Sequence, residues 1–142
     1  MSYANAEGMV ARFGLDEVVQ LTDRAMPPTG EVDADVLEQA LTDGADEIDA
    51  YLGARYALPL ASAPPLLARL ECDIARYRLA SNAGVLTEVV EDRYNNAIKL
   101  LDRISKGTAT LGLDVAETPV AVGAPLLAID PPIFSRDTLR DF

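Results

Sequence analysis

DADVLEQALTDGADEIDAYLG, residues 33–53, is the stretch that decides the fold. At 100° per residue Val36, Leu37, Ala40, Leu41, Ile48, Tyr51 and Leu52 gather on one side, while Asp35, Glu38, Asp43, Asp46 and Asp49 gather on the other. That pattern predicts an amphipathic helix over 34–52, with Asp33 as N-cap and Asp35 favourable in the first turn. Gly44 falls near the centre of the apolar face. There it costs roughly 1 kcal/mol in helix propensity and permits a second helix to approach closely.

Two further helical stripes follow towards the C-terminus. In PLLARLECDIARYRLAS (65–81), Pro65 suits a first turn, and the helix of 66–81 carries Leu66, Leu67, Leu70, Ile74 and Tyr77 on one face. Cys72, Ala75 and Leu79 fill much of the other face, leaving a narrow polar strip of Arg69, Asp73 and Arg76. Arg69–Asp73 and Asp73–Arg76 are spaced to pair along that strip. A helix apolar on two sides is either central in a bundle or faces a neighbouring subunit. After a turn at 81–84, Thr87 caps a helix of about 88–105, whose stripe is Val90, Tyr94, Ala97, Ile98, Leu101 and Ile104. Acids lie near its start and bases near its end, as the helix dipole favours, and Gly107 ends it.

Towards the N-terminus two short helices are predicted. The first is NAEGMVARF (5–13), capped by Asn5, with Met9, Val10 and Phe13 inward and Gly14 as its stop. The second is EVVQLTD, capped by Asp16, with Leu15 and Val19 inward. The prolines and glycine of 24–32 make a loop, and 56–65 makes another. The expected fold class is therefore all-α: a compact helical bundle over 1–106 followed by an extended C-terminal arm over 107–142. That last segment alternates glycine and proline with aliphatic residues, too apolar to be left in water. It either forms short strands over the helices or docks on another chain.

Composition bounds the chemistry. The chain of 142 residues carries a net charge of −11, a single cysteine and no histidine. Residues 1–53 hold twelve acids against two bases, residues 54–106 six against eight, and residues 107–142 five against two. Such a charge disfavours free nucleic-acid binding and anionic membranes. One cysteine excludes an internal disulfide, and imidazole-based triads are excluded outright. No phosphate loop, HExxH, CxxC or nucleophile elbow occurs, and the acids of 33–49 lack the loop pattern of a calcium site. No enzyme activity, cofactor or metal is expected. Cys72, set among leucines and alanines, reads as a buried structural thiol. The N-terminus has no signal-peptide pattern and no apolar run is long enough to span a membrane, which points to a soluble protein made and kept in a cytoplasm, or in something assembled there.

Five blocks in order carry a resemblance: MSYANAEGMVARFGLDEVVQLTD, VLEQALTDGADEIDAYLGARYALPL, LECDIARYRLA, RYNNAIKLLDRISKGTATLGL and the closing FSRDTLRDF. Together they resemble the small virion proteins of Mu-like phages and prophages, which look like head-to-tail connector adaptors. The resemblance implies a structural protein of the virion neck, forming a homo-oligomeric ring, of about twelve copies as in adaptor rings, between the portal protein of the head and a stopper or tail protein. Packaged DNA would pass through without specific binding, and no membrane is involved. Stopper, tail-completion and host regulatory partner-binding roles are the alternatives. On the bundle, Arg69 and Arg76 are the candidate partner contacts; on the arm, Phe134, Arg136, Leu139, Arg140 and Phe142 form the candidate terminal anchor.

Overall fold

The computed structural model describes residues 2–115, which form five helices. They are α1 (Ala6–Phe13), α2 (Leu15–Thr22), α3 (Ala34–Leu52), α4 (Pro65–Ala83) and α5 (Glu88–Ser105), with no strand among the described residues. The fold is all-α, as the periodicity predicts. Helices α3, α4 and α5 pack against one another in a three-helix bundle, and α1 and α2 lie against α3 and α4.

Side-chain caps set three of the helix starts. The Asn5 carboxamide accepts the Gly8 N–H at 2.8 Å, Asp33 accepts those of Asp35 and Val36 at 3.1 and 3.2 Å, and Thr87 accepts that of Val90 at 3.4 Å. The second helix departs from expectation. Gly14, at φ +88°, both stops α1 and opens α2, so Asp16 is a first-turn residue and not the cap. Starting earlier turns a different face inward: Val18, Leu21 and Thr22 are buried, Leu15 is exposed and Val19 only half-buried. The Thr22 hydroxyl donates to the Val18 carbonyl at 2.8 Å and accepts the Asp33 N–H at 3.2 Å, tying the end of α2 to the start of α3.

Helix α4 is central. It runs two residues beyond the expected end, to Ala83, and stops where Gly84 adopts the left-handed conformation at φ +70°. Its two apolar sides are both covered within the chain. Cys72, Ala75, Leu79 and Ala80 join Met9, Val18, Leu21, Leu37 and Leu41 in one core cluster, while Leu67, Leu70 and Ile74 join Ile48, Leu52, Tyr56, Leu101 and Ile104 in the other. The double apolar face is thus satisfied by α1–α3 and α5, without a neighbouring subunit. Gly44 is buried where α3 crosses α4: a Cβ there would lie 3.3 Å from the Glu71 carbonyl oxygen and 3.6 Å from Ile74.

Beyond α5, Ala109, Leu111 and Leu113 pack against the second cluster, and the Leu111 N–H donates to the Tyr56 hydroxyl at 3.2 Å. The rest of the segment expected to form the arm, with Phe134, Arg136, Leu139, Arg140 and Phe142, lies outside the described residues. Alanine in place of Leu70 or Ile74, both essentially inaccessible, is expected to cost about 2–5 kcal/mol. Ile98, expected in the stripe of α5, is only half-buried and should cost less, and Asp46→Ala should stay within roughly 0.5 kcal/mol. Urea melts read the ranking directly.

Candidate functional site

The polar strip of α4 is where the two described candidates sit, and the structure treats them differently. Arg76 is committed inside its own subunit. Its Nε donates to Glu17 Oε1 at 2.6 Å, and its guanidinium lies over the Phe13 ring, 4.4 Å from the centroid, so one side chain binds α4 to α2 and α1. Arg69 is exposed. It borders a shallow groove of about 320 Å3 between α4 and α5, lined by Leu70, Asp73, Arg93, Asn96, Ala97 and Leu100. Asp73 is paired across the helices, not along its own: Arg93 Nη1 stands 3.8 Å away. Burial raises the Asp73 carboxyl above its ordinary value, with the guanidiniums of Arg93, Arg69, Arg76 and Arg12 opposing the rise.

On α3 the acids divide into two kinds. Glu47 accepts from Arg78 at 2.8 Å and from the Tyr94 hydroxyl at 3.0 Å, and the Tyr94 ring stacks on Tyr77 with centroids 4.0 Å apart. Burial, then the bond to Glu47, pushes the Tyr94 phenol up to about 12. Asp49, expected on the solvated face, instead receives the Tyr3 hydroxyl in a half-buried contact. Asp43 accepts from Gln39 at 2.8 Å. Asp35, Glu38 and Asp46 remain exposed and enter no ion pair among the described residues.

The residue that sequence reasoning missed is Glu71. Its side chain is wholly buried beside Gly44 and accepts from the Ser2 hydroxyl at 2.7 Å, the Tyr3 N–H at 2.6 Å and the Ala4 N–H at 3.2 Å. Burial raises its carboxyl, while those three donors pull the other way. A signal existed: Glu71 stands four residues after Leu67 and three before Ile74, inside the apolar arc. Its role is to hold the segment of residues 2–4 onto the bundle, where Tyr3 and Ala4 pack against the two core clusters.

Cys72 is fully buried, and burial pushes its thiol up to about 11, so it stays protonated and unreactive. No three His, Cys, Asp or Glu side chains among the described residues are placed to hold a metal ion. No helix of the described residues is long and apolar enough to cross a membrane. Val85, Leu86 and Val89, at the α4–α5 turn, form an exposed apolar tip.

Residues 3–127 match the family model of Bacteriophage Mu Gp36. The chain belongs to that family. The likeness extends end to end in two relatives: the chain is 33% identical to the Mu-like prophage FluMu protein gp36 of Haemophilus influenzae, with 99% of this chain and 97% of the relative covered. It is 34% identical to gene product J of Escherichia phage Mu, covering 96% of each. As a Gp36-family member it is a phage protein, and both of its core clusters fall within the matched residues.

Proposed function

We propose that the chain is a structural protein of the phage neck, one subunit of a homo-oligomeric ring adaptor that joins the portal of the head to the tail. The observation that carries this reading is the division of the chain. A small bundle closes on itself by residue 113, with the Arg76–Glu17 and Arg78–Glu47 pairs tying helices together and buried Glu71 holding the N-terminal segment. A further stretch then carries Val120, Val122, Leu126, Leu127, Ile129, Ile133 and Phe134, apolar surface that a bundle already closed does not require. A body that packs alone and a C-terminal arm with its own apolar residues suit a subunit that is completed by neighbours. The end-to-end likeness to phage Mu gene product J supports the phage half of the reading. The ring, the portal and the stopper or tail protein as partners, and a role without catalysis belong to the proposal.

The test is made on particles. Labelled protein is expected at the head–tail junction of purified virions, next to the portal. Deleting residues 134–142, with Phe134, Arg136, Leu139, Arg140 and Phe142, should leave the melting of the bundle nearly unchanged and abolish incorporation, giving filled heads without tails. A position beside the tail would transfer the protein to the stopper or tail-completion role. Absence from wild-type virions would overturn the structural reading.

A further inference from the structure

The three exposed acids of α3 lie on one outer ridge. Asp35, Glu38 and Asp46 follow the helix face opposite Leu37, Leu41 and Ile48, flanking the exposed Thr42. In a bundle where three helices all touch, the outer groove between two of them lies on the side away from the third. Here that groove is the one between α4 and α5, and its charge is of the other sign. Arg69 borders it from α4, Arg93, Asn96 and Leu100 line it from α5, and Arg103 follows Leu100 at three-residue spacing one turn beyond the lining. Asp73 is the one carboxylate lining it, already faced by Arg93 and largely buried.

The lengths agree as well as the signs. Asp35 and Asp46 are separated by a rise of about 16 Å along α3, and Arg93 and Arg103 by about 15 Å along α5. A helical ridge laid along a groove between two helices is the ordinary way helices pack. Copies of a chain carrying −11 repel one another overall, so association requires that opposite charges be brought together locally.

We propose that copies of this chain associate head to tail, with the acidic ridge of Asp35, Glu38 and Asp46 on α3 of one copy seated in the groove of Arg69 and Arg93 between α4 and α5 of the next, and with Arg103 one turn beyond the groove extending its basic edge. The two surfaces are different and face opposite ways, so each copy offers both, and the contact propagates into a ring or an open chain instead of closing as a symmetric pair. The proposal deepens the ring reading above by naming its interface, yet it stands on the free protein and does not require a place in the neck.

Disulfide trapping on the full chain tests it. Thr42 lies on the ridge and Asn96 in the groove, both exposed and neither charged, so Thr42→Cys and Asn96→Cys add thiols without touching the ion pairs. With Cys72→Ala to remove the native thiol, mild oxidation of the doubly substituted chain should give a ladder of dimers, trimers and higher species. Either single cysteine should stop at dimers. Asp35→Lys with Asp46→Lys should cut the ladder by roughly tenfold or more. Adding Arg69→Glu with Arg103→Glu to that variant, which leaves the Arg93–Asp73 pair intact, should restore it, which a merely misfolded chain could not do. No ladder from the cysteine pair, a ladder indifferent to charge reversal, or no restoration in the fully swapped chain would each overturn the interface. Virion localisation is read separately: a charge-dependent ladder from a protein absent from particles would keep this interface and remove the neck role.

Discussion

Replacing Glu71 by alanine is expected to cost about 3–5 kcal/mol of folding stability, and replacing it by glutamine almost nothing. The carboxylate is wholly buried and accepts three hydrogen bonds from residues 2–4. Alanine would strand two backbone N–H groups and leave a void against Gly44 and Ile74. Glutamine keeps an oxygen for the Tyr3 and Ala4 N–H groups. Its amide donates to the Ser2 oxygen, whose single hydrogen then turns to the Ala4 carbonyl 2.8 Å away. The glutamine variant also removes a buried charge. In the wild type, burial raises the Glu71 carboxyl above its ordinary value of 4.5, so folding favours the protonated form. Stability from this group is therefore complete below that value and is lost as pH rises through the raised one. Thermal melts should accordingly place the wild-type Tm higher near pH 5 than at pH 7. Glu71→Gln should lose part of that slope while keeping the part that comes from relief of the −11 charge. Equal losses in the alanine and glutamine variants would show that the carboxylate itself, and not an oxygen acceptor in a side chain of the same shape, holds residues 2–4 in place.

The fold was legible because its information is periodic. The long helices α3, α4 and α5 are each written as an apolar stripe bounded by a cap or proline at one end and glycine nearby at the other, and local chemistry suffices to place them within a turn. The short α2 was misread because eight residues hold only two turns. Moving the cap by two residues, from Asp16 to Gly14, then exchanges Leu15 and Val19 for Val18 and Leu21 on the inner face. The site was less legible, because ion pairs between helices depend on crossing geometry. Spacing along α4 offers Asp73 the arginines of its own helix, yet the structure turns Asp73 to Arg93 on α5 and Arg76 to Glu17 on α2. Likewise Asp49 looks like an ordinary surface acid until the N-terminal segment folds back over it, and Glu71, although its place in the apolar arc is legible, meets donors nearly seventy residues distant in sequence. What a sequence stripe does show is which side is apolar. Two apolar sides on α4 meant a central helix here, and the weight of the assembly reading moves to charge and to the arm.

Gly44→Leu is expected to be among the most damaging single changes in the bundle, at about 3 kcal/mol or more, and Gly44→Ala to cost about 1 kcal/mol despite alanine's better helix propensity. A Cβ at this position would stand 3.3 Å from the Glu71 carbonyl oxygen, which is backbone and cannot swing aside as a side chain would. For the clash to be relieved, α3 and α4 must separate. Yet α4 is pinned on its other sides by α2 through Arg76–Glu17 and by α5 through the second core cluster, so separation opens voids elsewhere. Alanine's propensity gain of about 1 kcal/mol is thereby offset and exceeded. The cost should also depend on Glu71, whose Cγ would lie 3.5 Å from the added carbon. In a double-mutant cycle, Gly44→Leu on the Glu71→Ala background can send its side chain into the vacated space, so the two losses should sum to at least about 1 kcal/mol more than the double variant shows. The backbone carbonyl stays where it is in every variant, so relief should remain partial. Denaturant melts of the four proteins give the coupling, and strict additivity would mean that the crossing of α3 over α4 is less tightly packed than these distances require.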